Sequence, residues 1–369
     1  MRLCLIYSSA LHYREAIFRL VDREFQCDFV FGDSQHGIRQ MDTSVLSGRV
    51  TVVHAREWHG WNWQPKVIRQ LCGKYDAYIL LGDTRGMATW TFALLARIFR
   101  PRRHVFFWSH GWYGKETALE RWVKRIFYRL PSGGTFLYGE YARRLMVADG
   151  FCPDRLFVIY NSLDYARQCA LRPQPQQPTA YFHHFGNPNP NLVFVGRLTS
   201  VKRLDLLLQA LAFCRADGFD LNLTLIGDGE QEAALRRQAT ELSVEDRVWF
   251  HGACYDEAVN ARLISEADLC VSPGNVGLTA IHSMTYGTPV ITHDDFPHQM
   301  PEFEAIRDGV TGTFFHAGDA RSLADAIRRW LSFHADRREQ VRQDCYDEIA
   351  ARWTPQHQLE VLKSALGAG

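Results

Sequence analysis

Arg197 and Lys202 stand five residues apart in the stretch LVFVGRLTSVKRLDLLLQAL, residues 192–211. The apolar run reads as a buried strand ending at Gly196, so both cations fall at its carboxyl end, where a following helix turns its positive N-terminus. An anion suits that place; two ordinary surface cations on a solvated loop are the plainer alternative. The spacing is not that of a Walker loop, which needs G-x-x-x-x-G-K and then Ser or Thr. A second stretch, SPGNVGLTAIHSMTYGTPVI at 272–291, reads as strand end, glycine turn, short helix and strand. Gly277 lets the backbone approach a ligand, and a helix beginning near Leu278 offers the free N–H groups of its first turn to an oxyanion. Two anion-binding points in one half of the chain suggest a diphosphate. The turn of Gly227, Asp228 and Gly229 would be a third contact, although turn chemistry alone accounts for it.

The elements that must carry these groups alternate along the chain. In the first half RLCLIY, DAYILLG and HVFFWSHG are each followed by a helical pattern; in the second, LVFVG, LNLTLIG, RVWFHG, LCVSP, TPVIT and GTFFH are. Such alternation predicts right-handed crossovers and parallel sheets, hence an α/β chain of two Rossmann-like, doubly wound domains. Residues 172–190 hold five prolines and mark the break. The expected division is an N-terminal domain over 1–168, a proline-rich linker over 169–190, a C-terminal domain over 191–352, and a last helix over 353–369 that crosses back to the N-terminal domain. Parallel sheets of this kind bind ligands at the carboxyl ends of their strands, so the function is sought in a cleft between the domains.

Composition excludes several classes. No stretch nears the roughly 18 apolar residues of a membrane span, and MRLCLIYSS is too short for a secretory leader, so a cytoplasmic protein is expected. Nine cysteines without a C-x-x-C pair argue against a disulfide framework or a zinc knuckle. A net charge of +1 gives no global field for nucleic acid, and any anion site is local.

From Leu192 to about Ile327, the order and spacing of several signals resemble the nucleotide-sugar domain of family 4 glycosyltransferases of the GT-B fold. They are VGRL with a lysine five residues past its arginine, LIGDG, VWFHG, EADLCVSP, GL leading into SMTYGTPVI, and EAIRDGVTG. YNSLD at 160–164 is similar to the family's entry into that half, while the N-terminal half resembles the family only in pattern. The resemblance implies a retaining, metal-independent transfer from a nucleotide diphosphate-sugar, UDP- or GDP-linked, which is a co-substrate and not a cofactor. The implied acceptor is a glycan or lipid-linked glycan in bacterial surface polysaccharide assembly, bound by the N-terminal domain. Arg197 and Lys202 would hold the donor diphosphate with Gly196, Gly277, Leu278 and Thr279 beside them, and the loop from Gly252 to Cys254 would touch the base. His110, in FFWSHGWYGKE, would face the transferred sugar.

This chain departs from the family where a pair of glutamates is usual, since the aligned positions are Gly274 and His282. Fixed cations and helix N–H groups would still stabilise the leaving diphosphate, each good donor contributing about 3 kcal/mol in the transition state. Asn275 would replace the first contact with an amide, and His282 would bond ribose hydroxyls, against the plainer reading of a satisfied histidine on a helix face. His110 is expected to be a neutral hydrogen-bonding group, the alternative being a cap on the turn at Gly111. Lys115 and Glu116 in the same loop, and His12, Tyr13 and Arg14 in the first loop, are candidates for acceptor contact.

The helical pattern over 117–130 interleaves Leu119, Trp122, Val123, Ile126, Phe127 and Leu130 with Arg121, Lys124, Arg125 and Arg129. A core-packing helix with a solvated basic face is expected first, and peripheral contact with the inner face of an anionic membrane second. HHF at 183–185 and HDD at 293–295 lack a ligand spacing, so no metal is expected. Two other functions stay open: a non-catalytic nucleotide-sugar-binding subunit, and a sugar-nucleotide epimerase, which would need acid/base groups to move a proton.

Overall fold

The computed structural model describes residues 1–33, 39–173 and 178–367. The chain divides into two compact units, Met1–Asp164 with the stretch from Thr354 onward, and Tyr165–Trp353. In the first unit β1 (Arg2–Tyr7), β2 (Gln26–Gly32) and β3 (Val50–Val53) precede an antiparallel ribbon of β4 (Arg56–Trp58) and β5 (Trp61–Trp63). There follow β6 (Ala77–Leu81), β7 (His104–Ser109), β8 (Gly134–Leu137) and β9 (Leu156–Val158). The sheet runs β3-β2-β1-β6-β7-β8-β9 with every pair parallel. Alternation along β1 sends Leu3, Leu5 and Tyr7 into one core layer and Cys4 and Ile6 into the other, so both faces are covered. The covering helices are α1 (Glu15–Glu24), α2 (Met87–Phe99), α3 (Ala118–Phe127) and α4 (Glu140–Ala148).

The C-terminal helix, Pro355–Gly367, completes this unit. Its Leu362 and Leu366 are buried in the same layer as Phe18 and Val21 of α1. Gln358 donates to the Tyr160 carbonyl at 2.8 Å and accepts from the Ser162 hydroxyl at 2.7 Å.

The second unit contains all six strands expected from the sequence: β10 (Asn191–Val195), β11 (Asn222–Ile226), β12 (Val248–Gly252), β13 (Leu269–Val271), β14 (Val290–His293) and β15 (Gly312–Phe315). They are parallel in the order β12-β11-β10-β13-β14-β15. Its helices are α5 (Tyr165–Ala170), α6 (Ala180–Phe185), α7 (Leu204–Ala216), α8 (Glu232–Glu241), α9 (Glu257–Glu266), α10 (Leu278–Thr285), α11 (Ala320–Phe333) and α12 (Arg338–Arg352). Strand order reverses between β10 and β13, and the crevice outside their carboxyl ends is the switch point where such sheets take ligands.

Two expectations need correction. Much of the region read as a linker is helical, and the division falls after Asp164. The side chain of Thr179 caps α6, Gly186 closes it at φ 66°, and Tyr181 is buried with its hydroxyl on the Leu263 carbonyl at 2.5 Å. One anchored tyrosine outweighs a proline count. Residues 174–177 of the linker lie outside the described residues.

Helix α3 is the second correction. Leu119, Trp122 and Ile126 are 70%, 59% and 40% exposed, and Phe127 is the helix's one buried side chain. Lys124 instead turns inward to Glu116 at 2.6 Å. The apolar residues are therefore split: Phe127 and Leu130 pack into the core as expected, while Leu119, Trp122 and Ile126 face out. No helix among the described residues is long and apolar enough to cross a membrane.

Candidate functional site

Strand β10 ends at Val195, and Gly196 follows at φ 150°. The turn at 227–229 braces what comes next: a Cβ on Gly227 would lie 1.9 Å from the Gly196 carbonyl oxygen, and one on Gly229 2.4 Å from that of Leu198. Close backbone packing accounts for those glycines, which is the turn-chemistry reading. The chain then makes one turn over Ser200–Lys202 and enters α7 through Arg203 at φ 49°. This path brings Lys202 back onto the glycine turn before α10. Its Nζ donates to the Asn275 carbonyl at 2.7 Å and lies 3.8 Å from where a Cβ on Gly277 would sit. Burial pulls the Lys202 ammonium down to about 8, with the Glu302 carboxylate opposing and the nearby Arg197 cation reinforcing that fall. Arg197 itself is exposed.

Helix α10 begins on Gly277 at φ 54° and ψ −151°, a conformation that only glycine holds without strain. Among the described residues the N–H groups of Gly277, Leu278 and Thr279 donate no hydrogen bond, while that of Val276 donates to Gln299 Oε1 at 2.9 Å. Thr279 ties the helix to the sheet by donating from Oγ1 to the Val195 carbonyl at 2.8 Å. Three open N–H groups at a helix start, with an ammonium beside them, are a geometry suited to an anion. Lys202 and the start of α10 thus meet at the switch point.

Gly274 does not present itself to a ligand. Its N–H donates to the Lys202 carbonyl at 2.9 Å, its own carbonyl accepts from Thr292 Oγ1 at 3.2 Å, and it is buried. A Cβ there would lie 2.0 Å from the Val201 carbonyl oxygen and 2.7 Å from the Lys202 backbone. The position excludes any side chain, and both backbone polar groups of Gly274 are spent within the protein. Asn275 uses its carbonyl to hold Lys202 and its N–H to reach Val201 at 3.3 Å.

At the rim, Gly252 is open, with nothing within 4 Å of a Cβ, and stands at φ 86°. The Cys254 carbonyl is pinned by Asn260 Nδ2 at 3.2 Å. His282, one turn into α10, directs Nε2 to Glu257 Oε1 at 2.9 Å. Glu257 opens α9, immediately after the Asp256 cap. Its Oε1 also accepts from the Tyr286 hydroxyl at 2.7 Å and Gln168 Nε2 at 2.9 Å. Burial works against ionisation of Glu257, but hydrogen bonds from His282, Tyr286 and Gln168 hold its carboxyl down to about 2.

The first unit gathers a separate cluster at the carboxyl ends of β1, β7 and β8. The His110 ring lies 4.7 Å from that of Tyr138 and stacks on Tyr113 at 5.8 Å, and its nitrogens bond none of the described residues. It does not cap the turn at Gly111. Burial, with the Arg14 and Lys124 cations, lowers His110 to about 4, so the ring is neutral at pH 7.

The acceptor candidates divide. Arg14 is buried, donates to the Tyr138 hydroxyl, and sits within 5.1–5.7 Å of the rings of Tyr7, Tyr13, Trp108 and Tyr138. It is an interior cation held by aromatic faces and offers no surface to an acceptor. Glu116 is likewise consumed, accepting from the N–H groups of Tyr113 and Gly114 at 2.7 and 2.9 Å and pairing with Lys124. A charged residue in a loop could be read from the sequence as available; Glu116 is spent on its own loop, and Arg14 on rings brought to it by β1, by β7 and by the residue after β8. His12 and Lys115 are exposed and Tyr13 is partly so.

A pair of doubly wound parallel sheets is the architecture of GT-B glycosyltransferases, the class the sequence resembles. Residues 182–346 match the family described as glycosyl transferases group 1. More particularly, the chain is 30% identical over 191 residues to a GDP-mannose-dependent alpha-(1-6)-phosphatidylinositol dimannoside mannosyltransferase of Mycobacterium tuberculosis, covering 50% of this chain and 46% of that one. It is 33% identical over 153 residues to a glycogen synthase of Halorhodospira halophila, covering 40% and 31%. The chain thus spans less than half the length of these curated relatives. Among solved structures, Anabaena HepE in complex with UDP superposes over 100% of both chains with a TM-score of 0.75 at 18% identity, a likeness of fold.

Sequence reasoning missed Glu257, Tyr286, Gln299 and Glu302. Only Glu257 carried a signal, as the residue after a helix cap just past the loop at 252–254; the others act through contacts between segments distant in sequence.

Proposed function

We propose that this chain transfers a sugar from a nucleotide diphosphate-sugar, UDP- or GDP-linked, to a glycan or lipid-linked glycan acceptor with retention of configuration and without a metal, in bacterial surface polysaccharide assembly. The observation that carries the reading is the meeting of Lys202 Nζ with the open N–H groups of Gly277, Leu278 and Thr279. The bond from the anomeric carbon to the diphosphate breaks with its electron pair going to the leaving oxygen. Lys202, Arg197 and the helix N–H groups take up that charge, a role worth about 3 kcal/mol per well-placed donor. The acceptor hydroxyl bonds the anomeric carbon on the same face, and its proton passes to the departing phosphate. His110, neutral and without a partner among the described residues, is the polar group of the first unit suited to a sugar hydroxyl.

The outward Leu119, Trp122 and Ile126 of α3 support a peripheral membrane setting. Trp122 and Ile126 line a groove with Arg97, Arg125 and Arg129, and α2 adds exposed Leu94, Ile98 and Phe99. Apolar side chains among arginines suit an anionic bilayer surface. The double variant Trp122→Glu with Ile126→Glu is expected to weaken sedimentation with phosphatidylglycerol vesicles by about 10-fold or more. Unchanged sedimentation would remove the membrane contact from this reading.

The activity is tested by incubating the protein with UDP- and GDP-sugars and a panel of glycan and polyprenol-linked acceptors, in EDTA. Transfer with the donor's anomeric configuration kept is the expected result. Donor binding with neither transfer nor slow hydrolysis would instead support a binding subunit, and solvent deuterium in recovered donor an epimerase.

A further inference from the structure

Gln299, between β14 and β15, is buried, and its own N–H donates to the Phe296 carbonyl at 3.0 Å. Its side-chain Oε1 accepts from the Val276 N–H at 2.9 Å. Its Nε2 faces three oxygens: Thr292 Oγ1 at 2.8 Å and the carbonyls of His293 and Gly274 at 3.3 and 3.4 Å. Reversing the amide would set N–H against N–H and oxygen against oxygen, so one orientation fits. Thr292 Oγ1 directs its own hydrogen to the Ser272 and Gly274 carbonyls at 2.8 and 3.2 Å, and so accepts from Gln299. One side chain therefore ties together the ends of β13 and β14 and the turn into α10. From Gly274 to Val276 each N–H is taken, in order by the Lys202 carbonyl, the Val201 carbonyl and Gln299. Gln299 makes the last of these bonds before the open N–H groups begin. Val276 is fully buried, so its N–H has no solvent to turn to.

We infer that Gln299 is a positioning residue: by gripping the Val276 N–H and the Gly274 carbonyl together, it sets the direction of the N–H groups at 277–279 before an anion arrives. This rests on the proposed donor reading, in which that anion is the donor diphosphate. Gly277 has no side chain to hold its φ of 54° and ψ of −151°, so the residues on either side must fix it. On the helix side Thr279 is tied to the Val195 carbonyl, and on the strand side Val276 is tied to Gln299. A turn free to rock would spread its N–H groups over several directions, and ordering them on binding would cost affinity. A neutral amide serves one donor and several acceptors without setting a negative charge beside the anion. A carboxylate of the same size does not.

The test is calorimetric binding of UDP and GDP to the full chain and to its Gln299→Met and Gln299→Glu variants, with melting temperatures measured alongside. Gln299→Met keeps the length of the side chain and removes its hydrogen bonds. It is expected to bind the nucleotide about 10-fold or more weakly at a temperature where circular dichroism shows it folded. Gln299→Glu separates positioning from packing. Ionised, it still accepts from Val276 but turns a second oxygen on the Gly274 and His293 carbonyls; protonated, it again offers one donor and one acceptor. The proton is held below the midpoint of that carboxyl, so binding should improve as pH falls. Relative to the parent at each pH, its affinity should be low at about pH 8 and recover about 5-fold or more by about pH 5.5, while the ratio for Gln299→Met stays flat. Taking the ratio removes the titration of the nucleotide and of Lys202. Should Gln299→Met fail to fold, the pH course of Gln299→Glu decides alone. Variants that melt lower yet bind as tightly as the parent, or a Gln299→Glu ratio that does not move with pH, overturn the inference and leave the donor reading standing. A parent that binds neither UDP nor GDP overturns both.

Discussion

Lys202→Ala lowers sugar transfer about 100-fold or more, and Arg197→Ala by a similar factor, because each removes a charge that stabilises the leaving diphosphate. The reduction should fall mainly in kcat, since charge on the diphosphate grows as the bond to the sugar breaks. Near-normal turnover in both variants would remove the mechanism. Lys202 adds a pH signature. Its ammonium is lowered to about 8 by burial, so in the free protein the cation is present below that pH and lost as pH rises through it. The quotient kcat/KM, which reports the free enzyme, should fall above pH 8 with one titrating group. A bound diphosphate favours the charged form, so the limb in kcat should lie higher. Lys202→Arg keeps its charge throughout this range and should flatten the fall. An alkaline limb unchanged in Lys202→Arg would assign it to another group.

Gly274→Glu, which restores a carboxylate where the family usually has one, is expected to destroy the donor site. A Cβ there meets the Val201 carbonyl oxygen at 2.0 Å, and what it pushes against is the backbone of Lys202. Backbone cannot rotate away as a side-chain end can, so the loops at 199–203 and 272–277 must separate. A cost of about 3 kcal/mol or more follows, or about 10 °C in melting temperature for a unit of this size. Binding of a nucleoside diphosphate should weaken in parallel, since Lys202 loses the Asn275 carbonyl that holds it. A Gly274→Glu variant that melts with the parent and binds the nucleotide as tightly would show that the close approach is not as rigid as its hydrogen bonds suggest.

Much of the second unit was legible before any coordinates. Six apolar runs, each bounded by glycine, proline or a charged turn, mark six parallel strands, because a strand buried on both faces must be apolar throughout. Gly196 and Gly277 mark close backbone approach, and Arg197, Lys202 and the start of α10 fall at strand ends by order alone. The first unit was less legible. Its antiparallel ribbon and its β2, β3, β8 and β9 strands went unnamed, and Arg14 and Glu116 were assigned to an acceptor. Loop charges carry no local sign of whether they face solvent or a neighbour.

Residue type and spacing, then, determined the α/β class, the strand order's raw material and the anion-binding helix start, since these follow from periodicity and backbone geometry within short windows. Tertiary structure decided which charges are free. It closed Arg14 inside aromatic rings, spent Glu116 on its own loop, turned Leu119, Trp122 and Ile126 of α3 outward, and set Glu257 against His282. Each outcome depends on which side chain a distant segment brings within about 3 Å, where a buried charge must find a partner. That pairing is a property of the packed chain, and no window of sequence contains it.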